Sequence, residues 1–289
     1  QIRLADRYAI EHEPIASIDL MERAATACSK WLLSARGITL SFWRGVKGEA
    51  KKSEVKIFCG TGNNGGDGLG IARMLLKKKV LVKAFIIPLG NKPTEDFLKN
   101  KVRLEKVSPE SVHEISSAGE LPSISKTDLV IDALFGTGIS RKPEGLAAKT
   151  IAHINTLSST VIAIDMPSGL LADEHTPYKS VIHATHTLSF QIPKLAFLFP
   201  ENEKYIGIWH VLEIGLDKKF IESVPCKNFL VERKMVTQRF PGRKKFSHKG
   251  TYGHALITAG SFGMMGAAVL CTRAALHSGA GLVTAFIPA

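Results

Sequence analysis

Several features are scarce in this sequence, and each shortage excludes a class of protein. No apolar run approaches the roughly 20 residues that span a bilayer, so no membrane partner is expected. No signal peptide is expected at residue 1, because Arg3, Asp6, Arg7, Glu11 and Glu13 arrive before any apolar stretch. The four cysteines, Cys28, Cys59, Cys226 and Cys271, stand far apart without a C-x-x-C pair. That fits reduced thiols in a cytoplasmic protein and offers no metal-site spacing. No G-x-x-x-x-G-K-S/T occurs, which removes the P-loop. Aromatics are nearly missing from the basic clusters at 47–56, 77–79, 99–106, 141–142 and 243–245, despite a net charge of +12. A nucleic-acid surface would interleave the two, so no nucleic-acid partner is expected. Such runs are mostly solvated faces, although a smaller polyanion needs only local positive potential.

What the chain does have is material for a core, with 45% of its 289 residues hydrophobic. Helices are expected over 2–11 and 20–34, parted by Pro14, with Asp19 as cap and Glu22 in the capping-box position of the second. Residues 36–53, with Gly37, Gly45 and Gly48 among charges, read as a loop or a weak helix end. Short apolar strands then alternate with helices: strands over 55–59, 80–87, 129–133 and 161–165, helices over 69–79, 94–106 (capped by Thr94) and 146–157. Further strands are expected at 185–190 and 205–212. This alternation indicates an α/β fold, a mostly parallel sheet covered on both faces. Three loops, 60–70, 135–145 and 166–173, then fall beyond the strands' carboxyl ends, where open sheets bind ligands. A boundary is expected near 216–230. After it a strand, a helix and a strand over 255–287 resemble the start of a second domain, too small at about 60 residues to bury a sound core alone.

The chemistry concentrates in those loops. Gly60-Thr61-Gly62-Asn63-Asn64-Gly65 matches G-x-G-x-x-G between a strand and a helix, a pattern that lets backbone N–H groups approach a phosphate. A dehydrogenase also wants an acid about 20 residues on for the ribose. None stands there before Glu95, which disfavours hydride transfer. Asn63, Asn64, Gly65, Gly66 and Asp67 carry more polar chemistry than a phosphate cradle needs, although Asn and Asp are also turn formers. Asp132 ends a buried strand before the turn Gly136, Thr137, Gly138, Ile139, to which Ser140, Arg141 and Lys142 add phosphate donors. Asp165-Met166-Pro167-Ser168-Gly169 repeats the arrangement one strand later. Two strand-end carboxylates beside three glycine-rich loops suggest acid–base work or a cation site.

Together these three motifs, in this order, resemble the NAD(P)H-hydrate epimerases, as does the opening helix region with Asp6, Ile10, Leu20, Met21, Glu22 and Arg23. The resemblance covers 1–217. From His248-Lys249-Gly250 to Gly281 the chain resembles the beginning of the ADP-dependent NAD(P)H-hydrate dehydratases. These resemblances imply a Rossmann-like three-layer sandwich over 1–217, a linker over 218–229, and a truncated ribokinase-like fragment over 230–289. They imply a substrate, NADH or NADPH hydrated at nicotinamide C6, whose R and S forms the first domain interconverts. The second domain of a complete chain would dehydrate the S form with ADP or ATP. Carried over by residue, Asn63, Asn64, Gly65, Gly66, Asp67, Gly136 to Lys142, Asp165 and Ala267 would contact substrate. Asn64, Asp132 and Ser168 would hold a potassium ion (K+). Asp165 is the first choice for proton transfer, with Asp132 the other candidate. A homo-oligomer is allowed but not specified. A non-catalytic binding module on the same fold and another nucleotide-using α/β enzyme stay open as alternatives.

Overall fold

A computed structural model describes residues 2–12, 15–34, 54–90, 92–156, 159–239 and 242–288. Pro14, the expected loop at 36–53 and the end of the 146–157 helix lie outside the described residues.

Apolar residues at every position of β1 (Val55–Cys59) and β4 (Leu129–Ala133), apart from Lys56 and Asp132, place these strands in the middle of the sheet. Around them run β2 (Val82–Ile86), β3 (Val112–Glu114), β5 (Thr160–Ile164), β6 (His186–Phe190) and β7 (Ile208–Leu212). Seven strands pair in the order β3-β2-β1-β4-β5-β6-β7, every pair parallel. Side chains alternate across them. Ile57, Cys59, Ile131 and Ile164 face α1 (Ile2–His12), α2 (Ser17–Leu33), α3 (Asn63–Lys77) and α4 (Glu95–Glu105). Phe58, Val130, Val161 and Ala163 face α5 (Gly145–Asn155). Full burial of such side chains contributes about 1.5–3 kcal/mol each. The expected parallel α/β sheet with helices on both faces is therefore present.

Several boundaries differ from expectation for identifiable reasons. Helix α2 starts at Ser17 with Ala16 as N-cap, so Asp19 lies in the first turn and caps nothing. Glu22 forms no capping box; it ion-pairs with Arg73 of α3 and, at 2.9 Å, with Arg103 of α4. Residues 205–206 belong to a helical turn, α6 (Glu203–Ile206), cut off from β7 by Gly207 at φ 58°. Strand β3 has three residues, too few to leave a periodic pattern. Thr94 caps α4 as expected, accepting from the Phe97 N–H at 3.4 Å.

The chain divides into two compact units, Gln1–Pro225 and Cys226–Ala289. Helix α7 (Lys218–Ser223) belongs to the first, where Phe220 stacks on Tyr8. The second unit contains α8 (Arg233–Arg239) and a parallel pair, β8 (His254–Thr258) and β9 (Leu282–Phe286), joined through α9 (Gly266–His277). Ala268 is the one buried residue described in it.

Candidate functional site

The site is assembled where β1, β4, β5 and β6 end. After β1 the chain turns through Gly60, Thr61 and Gly62 directly into α3, six residues before the helix expected at 69. The glycines that suggested a loop are helical, and space explains them. A side-chain carbon on Gly65 would strike the Gly60 carbonyl, one on Gly66 would lie 2.7 Å from the Met21 sulfur, and one on Gly68 2.7 Å from the Ala133 methyl. The helix thus trades roughly 1 kcal/mol of propensity per glycine for close approach to α2 and the sheet. Its first closed turn is the Gly66 N–H to Gly62 carbonyl bond at 3.0 Å. The N–H groups of Asn63, Asn64 and Gly65 therefore precede the helical ladder, at the helix's positive end.

Asp132 is fully buried at the end of β4. Its carboxyl accepts from the Ser168 N–H at 2.8 Å, the Ser168 hydroxyl at 2.5 Å and the Leu134 N–H at 3.2 Å. Burial nevertheless dominates and pushes it up to about 6, against the pull of those bonds. The Ser168 hydroxyl also accepts from the Phe135 N–H at 2.8 Å, tying the β4 and β5 loops together.

Asp165 lies one residue beyond β5 with φ 64°, a left-handed conformation that few residues with side chains adopt. One carboxylate oxygen meets the Lys194 Nζ at 2.9 Å, and the other accepts from the Thr137 N–H at 3.3 Å. Lys194 is itself 5% exposed, its ammonium also donating to the Ser189 hydroxyl at 2.9 Å and the Phe190 carbonyl at 3.2 Å. With the Ile192 carbonyl at 3.4 Å as a third neutral acceptor beside the carboxylate, this buried lysine is well satisfied. Asp67 on α3 is buried and raised well above 3.8, first by burial, then by the charges of Asp165, Asp6 and Asp96. Both polar atoms of the Asn64 amide are buried without a hydrogen-bond partner.

These groups surround a cleft of about 1220 Å³. Among the sequence-predicted residues, Asn63, Asn64, Asp67, Gly136, Thr137, Gly138, Ile139, Ser140, Arg141, Lys142 and Asp165 line it. Asp132 and Ser168 lie buried beneath its loops, Gly65 and Gly66 serve helix packing, and Ala267 is exposed on α9 of the second unit. Among the charged residues that line or support the cleft, Lys194, Lys92, Glu144, and Asp6 as a wall residue escaped the sequence reading of the site. Lys194 carries no local signal, since Gln191-Ile192-Pro193-Lys194 resembles any surface turn. Among the described residues no group of three or more His, Cys, Asp or Glu is arranged to hold a metal, and no helix is long and apolar enough to cross a membrane.

Fold and site together define a class: an α/β protein with a polar cleft at the carboxyl ends of a parallel sheet, one strand-end aspartate on its wall and another buried beneath its loops. Within that class, the chain belongs to the family described as YjeF-related protein N-terminus, which matches residues 17–196. It is 34% identical over 98% of its length to the bifunctional NAD(P)H-hydrate repair enzyme Nnr of Moorella thermoacetica, covering 52% of that protein. To the NAD(P)H-hydrate epimerase of Oenococcus oeni it is 32% identical over 73% of its length, covering 92% of that protein. The chain thus spans about half the length of the bifunctional relatives and nearly all of the epimerase. The crystal structure of yeast ynu0 shares the fold, with a TM-score of 0.58 at 20% identity over 73% of this chain and 85% of that one.

Proposed function

We propose that residues 1–225 interconvert the R and S hydrates of NADH and NADPH, as the names of the Moorella and Oenococcus relatives suggest. The observation that carries this reading is Asp165, held in a strained conformation against Lys194 on the wall of the cleft. To invert C6, the hydroxyl must leave while the ring nitrogen pushes electrons, or the ring must open and reclose. Both routes need a positioned group that moves a proton to and from oxygen, an effect typically worth about 10²- to 10⁴-fold. Asp165 has that position. The free N–H groups at the start of α3, with Lys92, Arg141 and Lys142 lining the same cleft, suit the pyrophosphate and ribose end of a dinucleotide.

A potassium ion fits the residues beneath the cleft. The Asn64 amide oxygen is buried and unpartnered, and Asp132 accepts three bonds where a carboxylate has about four lone-pair sites. Asn64, Asp132 and Ser168 would hold the ion, which supplies fixed positive charge beside a buried carboxyl. The second unit is read as the beginning of an ADP-dependent dehydratase, with Ala267 a substrate contact; ADP or ATP would be used only by the longer protein.

The test is to mix R-enriched NADPH-hydrate with the chain, with and without potassium, and follow the isomer ratio. Acceleration above the spontaneous rate is expected, greater with potassium, and no acceleration would sink the enzyme reading. Asp165→Asn is expected to slow epimerisation at least about 100-fold with substrate affinity kept.

A further inference from the structure

A second cavity, of about 170 Å³, shares its wall with the main cleft. Ile10, Leu20, Met21 and Phe190 give it an apolar side, opposite polar groups that include Asp6, Asp67 and Asp165, which line both spaces. Of these carboxyls Asp165 is ion-paired, 2.9 Å from Lys194. Asp6 reaches the shared boundary from α1, a separate element that touches none of the strand-end loops in sequence. A ring seated at that boundary has a paired carboxylate from one element and a second carboxyl from another within the same enclosure.

Burial, and then the charge of Asp165, raise Asp6 to about 6, outweighing the opposite pull of Lys194. Asp67, buried beside both, is likewise raised, first by its burial and then by the charges of Asp165, Asp6 and Asp96. A group that must give up and regain a proton in each turnover works best when it titrates near the working pH, which suits Asp6 on the wall shared by both spaces.

We propose that Asp6 is a second catalytic residue, the acid that protonates the departing C6 hydroxyl, with Asp165 as the base. The inference rests on the epimerase reading. The C6–O bond breaks with its electron pair left on oxygen, which takes the Asp6 proton and departs as water. The ring-nitrogen lone pair forms the C6–N double bond. Water then adds to the other face of C6, the π pair returns to nitrogen, and the surplus proton of that water passes to Asp165. Nothing is oxidised or reduced. Solvent in the open cleft returns the proton from Asp165 to Asp6.

The experiment follows the isomer ratio of NADPH-hydrate with the full chain between pH 5 and 8. For the unmutated protein, kcat is expected to fall as pH rises above about 6, as Asp6 loses its proton. Asp6→Asn should lower kcat about 100-fold or more, leave KM within about threefold, and abolish the fall above pH 6. Asp6→Glu should recover part of the rate with a displaced limb. An Asp6→Asn protein with normal kcat, or with the same pH limb, overturns the assignment. If Asp6→Asn does not fold, as circular dichroism would show, Asp6→Glu with an unmoved limb overturns it instead. An inert unmutated protein would sink the epimerase reading and this inference with it, whereas an active one indifferent to Asp6 sinks this inference alone.

Discussion

A left-handed aspartate costs of order 1 kcal/mol or more and persists only where its surroundings hold it. Around Asp165 the holders are the Lys194 ammonium and the Thr137 N–H. Lys194→Met removes the ammonium and leaves a mostly buried carboxylate unpaired, so a loss of about 2–3 kcal/mol is expected in urea unfolding, together with most of the epimerase activity. The carboxyls also set a pH signature. Asp6 titrates near 3.8 when unfolded and near 6 when folded, so between pH 4 and 6 the folded form holds more protons. Its contribution is therefore complete below pH 4 and is lost as pH rises through 6. Asp128, lowered by its bond to Lys56 against its partial burial, acts in the opposite direction but cancels in the difference between the unmutated protein and Asp6→Asn, which reports Asp6 together with the relief of Asp67 from its charge. Stability of Asp6→Asn, measured by urea midpoints, should gain on the unmutated protein across that window. Asp132 and Asp165 were legible in the sequence because carboxylates at the ends of apolar strands are conspicuous. Lys194 was not, because a residue that reaches a site through a turn leaves no periodic trace.

The helix α3 shows how an element can hide from its own sequence. Gly65, Gly66, Gly68 and Gly70 lower intrinsic helix preference, so the local reading favoured a loop until residue 69. Tertiary space overrides that preference, since each of the four faces an atom that a methyl group would crowd. Gly68→Ala tests the balance. Alanine gains about 1 kcal/mol in a helix, but its carbon would sit 2.7 Å from the Ala133 methyl and 2.8 Å from the Cys59 sulfur. Overpacking costs about 1–3 kcal/mol, and a lowered melting temperature is expected. Gly62→Ala, with open space around the new carbon, should change it little. Strand and helix order survived in the sequence because burial on both sheet faces gives unbroken apolar runs. Short elements such as β3 and α6 did not, since three or four residues hold no period.

At the scale of the molecule, two units of unequal soundness share one chain. The first buries dozens of apolar side chains, while the second exposes Phe246, Phe262 and Phe286 at 92%, 85% and 67%. Amide hydrogen exchange should therefore release β8 and β9 well before β1 and β4. Equal protection of the two strand pairs would contradict this. The order of the sheet has one further consequence, for the protein while it is being made. With β1 near the middle, the chain first builds outward to β3, crosses back to β4, and then extends the other edge through β7. Asp165 leaves the ribosome 29 residues (194 − 165) ahead of Lys194. At roughly 5–20 residues per second, the nascent sheet carries Asp165 for a few seconds without the ammonium that steadies it. The cleft is therefore completed late, only when the segment after β6 has been made and Lys194 can reach Asp165.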